Sequence, residues 1–173
     1  MHNRCQKTIL IVEDDQNDQM FFLAAFHSIG VQDPIHLTNS GSEAIAYLRG
    51  EGRFADRVRY AYPTFLITDL KMPHGDGFTV LEHLRRHSER PIIPTVVFTS
   101  SDDPDDVKRA YFLGANCYHR KPTGYGELQA QLRILYDYWI TCLVPEVDVT
   151  GTQLETRSAG KLGERFGQGL RTI

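Results

Sequence analysis

Five short apolar runs, each followed by a segment with helical spacing, constrain this chain more than any other feature. Residues 8–12 form a continuous apolar stretch, as suits a strand buried on both faces. The stretch ends in Glu13-Asp14-Asp15. Residues 17–29 then place Met20, Phe21, Ala24 and Phe26 at helical spacing, and Gly30 stops the run. The same alternation repeats with strands over 35–38, 65–68, 95–98 and 117–120. The helices between and after them cover 42–49, 78–87, a segment starting at Asp103-Pro104 and ending at Gly114, and 125–143. Asp103-Pro104 is a strong helix start, an N-cap followed by proline in the first turn. Alternation of this length predicts an α/β fold: a doubly wound, five-stranded parallel sheet with helices on both faces. Right-handed crossovers leave few arrangements, and the flavodoxin-like order 2-1-3-4-5 is the expected one. Functional residues are then expected at the carboxyl ends of the strands.

The 173 residues are enough for one compact domain with an appendage. The domain is expected over 7–145. Residues 146–173, rich in Gly, Thr, Gln and Arg, read as a C-terminal extension. Residues 50–62 read as an exposed loop with room for an extra helical turn. A net charge of -3 supplies no basic field for nucleic acid. Three cysteines without metal-type spacing fit a reducing compartment. The absence of a signal-type segment or an 18-residue apolar run leads us to expect a cytoplasmic protein with no membrane partner.

Each strand end contributes chemistry. Strand one delivers Glu13 and Asp14, strand three Asp69, strand four Thr99 and strand five Lys121. Three carboxylates in one pocket repel one another, and a hard cation bound through oxygen relieves the conflict. Mg²⁺ suits the site, since it needs only one or two carboxylates and accepts phosphate oxygens. Lys121 and Thr99 add an ammonium and a hydroxyl for phosphoryl oxygens. Together these are the parts that phosphoryl transfer to Asp69 requires. An acidic pair, an Asp before a turn or a Lys before Pro is by itself usually a solvated loop residue. Their joint occurrence, in order, on strands one, three, four and five is what carries the reading.

The motifs Val12-Glu13-Asp14-Asp15, Thr68-Asp69-Leu70-Lys71-Met72-Pro73-His74-Gly75-Asp76-Gly77, Phe98-Thr99-Ser100 and Tyr118-His119-Arg120-Lys121-Pro122 resemble those of bacterial response-regulator receiver domains. The resemblance spans about residues 7–143. It implies that Asp69 is the phosphoacceptor. It also implies that Glu13, Asp14, Asp69 and the backbone carbonyl of Lys71 hold the metal, that Lys121 binds the phosphoryl group and that Thr99 and Tyr118 form a switch pair. A cis Lys121–Pro122 bond is implied as well. The loop before strand three and the ending Tyr136-Asp137-Tyr138-Trp139 resemble single-domain regulators paired with bacterial phytochromes. The partner implied is a sensor histidine kinase of the phytochrome type, in a signalling role rather than an enzymatic one.

A metal-dependent phosphatase also uses an Asp nucleophile, but it needs a second Asp two residues later, and Lys71 stands there. A flavin-binding flavodoxin needs a Ser/Thr/Gly-rich loop where this chain has three acids. A degenerate receiver is disfavoured because every site residue is present. Along the last helix Leu128, Leu132, Leu135, Trp139 and Cys142 make a sheet-facing stripe, with Ile134 and Tyr138 off it. That surplus apolar surface leads to an expected homodimer through the fifth helix or the adjoining sheet edge.

Overall fold

The computed structural model describes residues 7–73, 76–86, 92–144 and 147–152. Five strands, β1 (Ile9–Val12), β2 (Ile35–Thr38), β3 (Phe65–Thr68), β4 (Thr95–Thr99) and β5 (Cys117–Arg120), form one parallel sheet in the order β2-β1-β3-β4-β5. The helices are α1 (Gln16–Ser28), α2 (Gly41–Arg49), α3 (Gly77–Arg86), α4 (Pro104–Phe112) and α5 (Tyr125–Thr141). The expected architecture and order hold.

Alternation along each strand divides the core into two layers. Ile9, Ile11, Phe65, Ile67, Val96 and Phe98 face α1 and α5, where they meet Phe22, Phe26, Leu128, Leu132 and Leu135. Leu10, Val12 and Leu66 face the other way, onto Ala44, Tyr47, Leu48 and Val80 of α2 and α3. Val97 joins Leu70, Phe78, Leu81 and Ala110 beneath α3 and α4. The central strands β1, β3 and β4 are buried throughout, whereas the edge strands β2 and β5 are mostly half-exposed. That is why the edges tolerate His36, His119 and Arg120.

The segment before β3 is largely exposed and carries the extra helical turn that was expected, but it is anchored by buried aromatic residues. A single turn of 3-10 helix at Gly52–Phe54 buries Phe54, and Tyr62 is buried as well. The Arg57 guanidinium donates to the carbonyls of Tyr47 and Leu48, at 2.8 Å each, and so satisfies the C-terminal end of α2. Phe54 and Tyr60 then pack edge-on at 5.2 Å between centroids. A charged loop is thus fixed by one arginine and a small aromatic cluster.

Residues 147–152 lie against this loop. Val147 is buried in the α2/α3 layer, and the Tyr62 amide donates to the Val149 carbonyl at 2.9 Å. Gly151, at φ +84°, lies so close to the Tyr62 ring that a Cβ would stand 2.5 Å from Cδ2. The remainder of the expected extension, from residue 153, lies outside the described residues.

In α5 the expected stripe is buried at Leu128, Leu132 and Leu135. Trp139 is half-buried and packs on Phe65 at 6.2 Å. Ile134 and Tyr138 are exposed. No helix among the described residues is long and apolar enough to cross a membrane.

Candidate phosphoacceptor site

The site forms where β1, β3, β4 and β5 end. Glu13 continues β1, its amide donating to the Thr38 carbonyl at 2.9 Å, and its side chain is 2% exposed. Asp69 continues β3, its amide donating to the Val12 carbonyl at 3.0 Å. One carboxylate oxygen, Asp69 Oδ1, accepts from the Leu70 and Lys71 amides at 2.5 and 3.1 Å. This leaves Oδ2 facing the cleft. Asp14, next to Glu13, is half-exposed. Thr99 ends β4 and is fully buried, and its carbonyl accepts the Lys121 amide at 2.7 Å, which ties β4 to the lysine.

Lys121 reaches across all of this. Its Nζ donates to Glu13 Oε2 at 2.6 Å, Asp18 Oδ2 at 2.6 Å and Asp69 Oδ2 at 2.7 Å. The ammonium has three N–H groups, and each has a carboxylate partner. Burial alone would lower the Lys121 pKa, but hydrogen bonds to Asp18, Asp69 and Glu13 outweigh it and hold the ammonium well above its usual range. Glu13 moves the other way. Burial, reinforced by the Asp69 charge, pushes its pKa up to about 7 despite the attraction of Lys121. One cation is shared among more carboxylates than it can neutralise, so the most buried one gives way.

As arranged, no cluster of three His, Cys, Asp or Glu among the described residues presents an open cation site. The Lys121 ammonium stands at the point on which Glu13, Asp18 and Asp69 converge. The donor set still fits a hard divalent cation, being carboxylate oxygens with an unsatisfied excess of negative charge.

Asp18 was not among the residues expected from sequence. It lies in the first turn of α1, where the Asp15 side chain caps the helix and accepts the amides of Asn17 and Asp18 at 2.8 and 3.0 Å. Asp15 therefore has a capping role. Gln19 ties the same turn to β1 by donating to the Glu13 carbonyl at 2.6 Å. The only signal in the sequence was an acid one helical turn past the acidic pair.

Tyr118 is half-buried, and its hydroxyl donates to the Ser101 carbonyl at 3.0 Å. Ser101 in turn donates to Asp106 at 2.6 Å, and Asp106 pairs with Lys71 at 3.3 Å. The loop after β4 is thereby linked both to Tyr118 and to the loop after Asp69. The Lys121–Pro122 bond is trans, not the expected cis. The two forms of an X–Pro bond differ by only about 0.5–1 kcal/mol, so local packing decides between them.

Gly77 makes the closest approach in the site. A Cβ there would collide with the Asp69 carbonyl oxygen and stand 2.8 Å from Thr68 Oγ1. Gly77→Ala is expected to cost about 1–3 kcal/mol in denaturant unfolding, because backbone rather than a pliable side chain must move. The Asp69 amide resonance should shift as well.

The response regulator receiver domain model matches residues 9–133. The chain belongs to the response regulator receiver family. Among curated relatives it is 33% identical over 135 residues to the probable methanogenesis regulatory protein FilR2 of Methanothrix harundinacea, covering 76% of this chain and 83% of that one. Among solved structures, the phosphorylated cyanobacterial phytochrome response regulator RcpA matches with a TM-score of 0.73 at 30% identity, covering 82% of this chain and 99% of that one. The Mn²⁺-bound form of the response regulator Rcp1, a Synechocystis protein, matches with a TM-score of 0.72 at 28% identity, covering 81% and 99%. The receiver is therefore a phosphorelay signalling module similar to phytochrome-associated response regulators, and the phosphatase alternative is not favoured.

Proposed function

We propose that this receiver accepts a phosphoryl group on Asp69 from a phosphohistidine of a sensor histidine kinase. The observation that carries the reading is the Lys121 ammonium held between Glu13 Oε2 and Asp69 Oδ2 at the strand ends. In the transfer, Asp69 Oδ2 forms a bond to phosphorus as the P–N bond to the imidazole breaks. Lys121 and Thr99 neutralise the phosphoryl oxygens. Glu13, Asp14, Asp69 and the Lys71 carbonyl would hold Mg²⁺, which supplies charge neutralisation of the phosphoryl oxygens when bound. The site is then a receiver of signal rather than a turnover enzyme, and it acts in the cytoplasm.

The likeness to RcpA supports a phytochrome-type kinase as the donor. Incubation with such a kinase, autophosphorylated in advance, should move label to this chain within minutes when Mg²⁺ is present. Excess chelator should stop the transfer. Label transfer that ignores the chelator would contradict the metal assignment.

Thr99 and Tyr118 form the proposed switch. Drawing the Thr99 hydroxyl toward a phosphoryl oxygen frees space beside β5 and loosens the Tyr118–Ser101 contact, which biases two packed states. The output is proposed to be a homodimer through α5 or the adjoining sheet edge, where Ile134 and Tyr138 are exposed. A beryllofluoride phosphoryl mimic should raise the dimer fraction in sedimentation equilibrium, and Thr99→Ala should abolish that rise. A monomer mass with and without the mimic at high concentration would remove the dimer.

A further inference from the structure

We infer that Asp18 is a positioning residue that takes over the Lys121 ammonium when a divalent cation draws Glu13 and Asp69 away from it. This inference rests on the proposed metal site. The three carboxylates that share Lys121 are graded from inside to outside. Their side chains are 2% exposed for Glu13, 8% for Asp69 and 36% for Asp18. A divalent cation on Glu13 and Asp69 would take the two inner partners and repel the ammonium outward. Asp18 is the partner that remains, already 2.6 Å from Nζ. The cleft on that side, about 180 Å³ and lined in part by Asp18, Phe21, Lys121, Pro122 and Tyr125, gives the lysine side chain room to turn.

Asp18 is held rigidly enough to serve as such an anchor. The Asp15 cap fixes its backbone, and Gln19 binds both the Glu13 carbonyl and Asn39 Oδ1, at 2.6 and 2.8 Å. Without Asp18 a displaced ammonium would have only water to meet it, and Lys121 would compete more strongly for Glu13 and Asp69. With Asp18 the lysine stays one rotamer step from Asp69, available for a phosphoryl oxygen.

The test is a double-mutant cycle on metal binding alone, with Mg²⁺ titrated against the full chain and the Asp69–Lys71 amides followed by NMR. Asp18→Asn should raise the Kd for Mg²⁺ about three- to fivefold, the range expected for a partly exposed ion pair. Asp18→Glu should recover most of the loss. In a Lys121→Ala background, Asp18→Asn should produce a clearly smaller change, because there is no ammonium to hold. An equal or larger change in that background would show a direct charge effect on the metal and overturn the inference. So would an unchanged or lower Kd in Asp18→Asn with Lys121 intact. If the unaltered protein shows no saturable Mg²⁺ binding, the metal site itself fails and the inference falls with it.

Discussion

Asp69→Asn will leave the protein folded but unable to take a phosphoryl group, with labelling from acetyl phosphate reduced by at least about a thousandfold. The asparagine amide oxygen can still accept from the Leu70 and Lys71 amides, as Asp69 Oδ1 does at 2.5 and 3.1 Å, so the turn after β3 keeps its anchor. What disappears is Oδ2, the oxygen that faces Lys121 at 2.7 Å. The substitution also removes a charge from beside Glu13, whose pKa is raised in part by Asp69. The Glu13 pKa should therefore fall in the variant. Circular dichroism and thermal unfolding should match the unaltered protein or show a slightly more stable one. Substantial labelling of Asp69→Asn would place the acceptor elsewhere.

The metal-free protein will lose stability as the pH rises from about 5 to 8. The Glu13 pKa is raised from 4.5 to about 7, chiefly by burial. Between those values the folded chain holds a proton that the unfolded chain has released, so the stabilising contribution is complete below 4.5 and gone once the pH passes 7. The loss from this one group is on the order of 3 kcal/mol. Urea unfolding at a series of pH values measures it. Glu13→Gln should flatten the profile over the same window, since its side chain does not titrate. Saturating Mg²⁺ should reverse the trend in the unaltered protein, because the cation binds the deprotonated carboxylate. Stability that is flat across the window, in metal-free protein with Glu13 intact, would contradict the buried-carboxylate reading.

The strand order and the site edge were legible in the sequence for a simple reason. β1, β3 and β4 are buried on both faces, so each reads as a mainly apolar run that leads to a candidate site residue at or just past its end. Glu13, Asp69 and Thr99 are those residues, and parallel register brings them to one edge. Lys121 was legible through its place after β5 and before Pro122. The aromatic anchor of the segment before β3 was not, because Phe54, Tyr60 and Tyr62 sit among charges and have no periodicity. Their burial depends on Arg57 closing the end of α2, a tertiary contact with no local signature. Asp18 escaped notice for a related reason. A single acid in the first turn of a helix looks like an ordinary dipole partner until Lys121 is seen to arrive from 103 residues away. Gly77 entered the sequence reading only as the end of the Asp69 motif, while its constraint is the Asp69 carbonyl pressed against it.

The most direct measurement is to incubate the full chain with acetyl phosphate and Mg²⁺, weigh the intact product, then reduce the acyl phosphate with borohydride, which releases phosphate and leaves homoserine, and map that residue by peptide mass spectrometry. One phosphoryl group per intact chain is expected, and after reduction homoserine is expected in place of Asp69 alone. A phosphoryl group found on another residue, or none on Asp69 in protein that is folded and loaded with Mg²⁺, would contradict the Asp69 assignment.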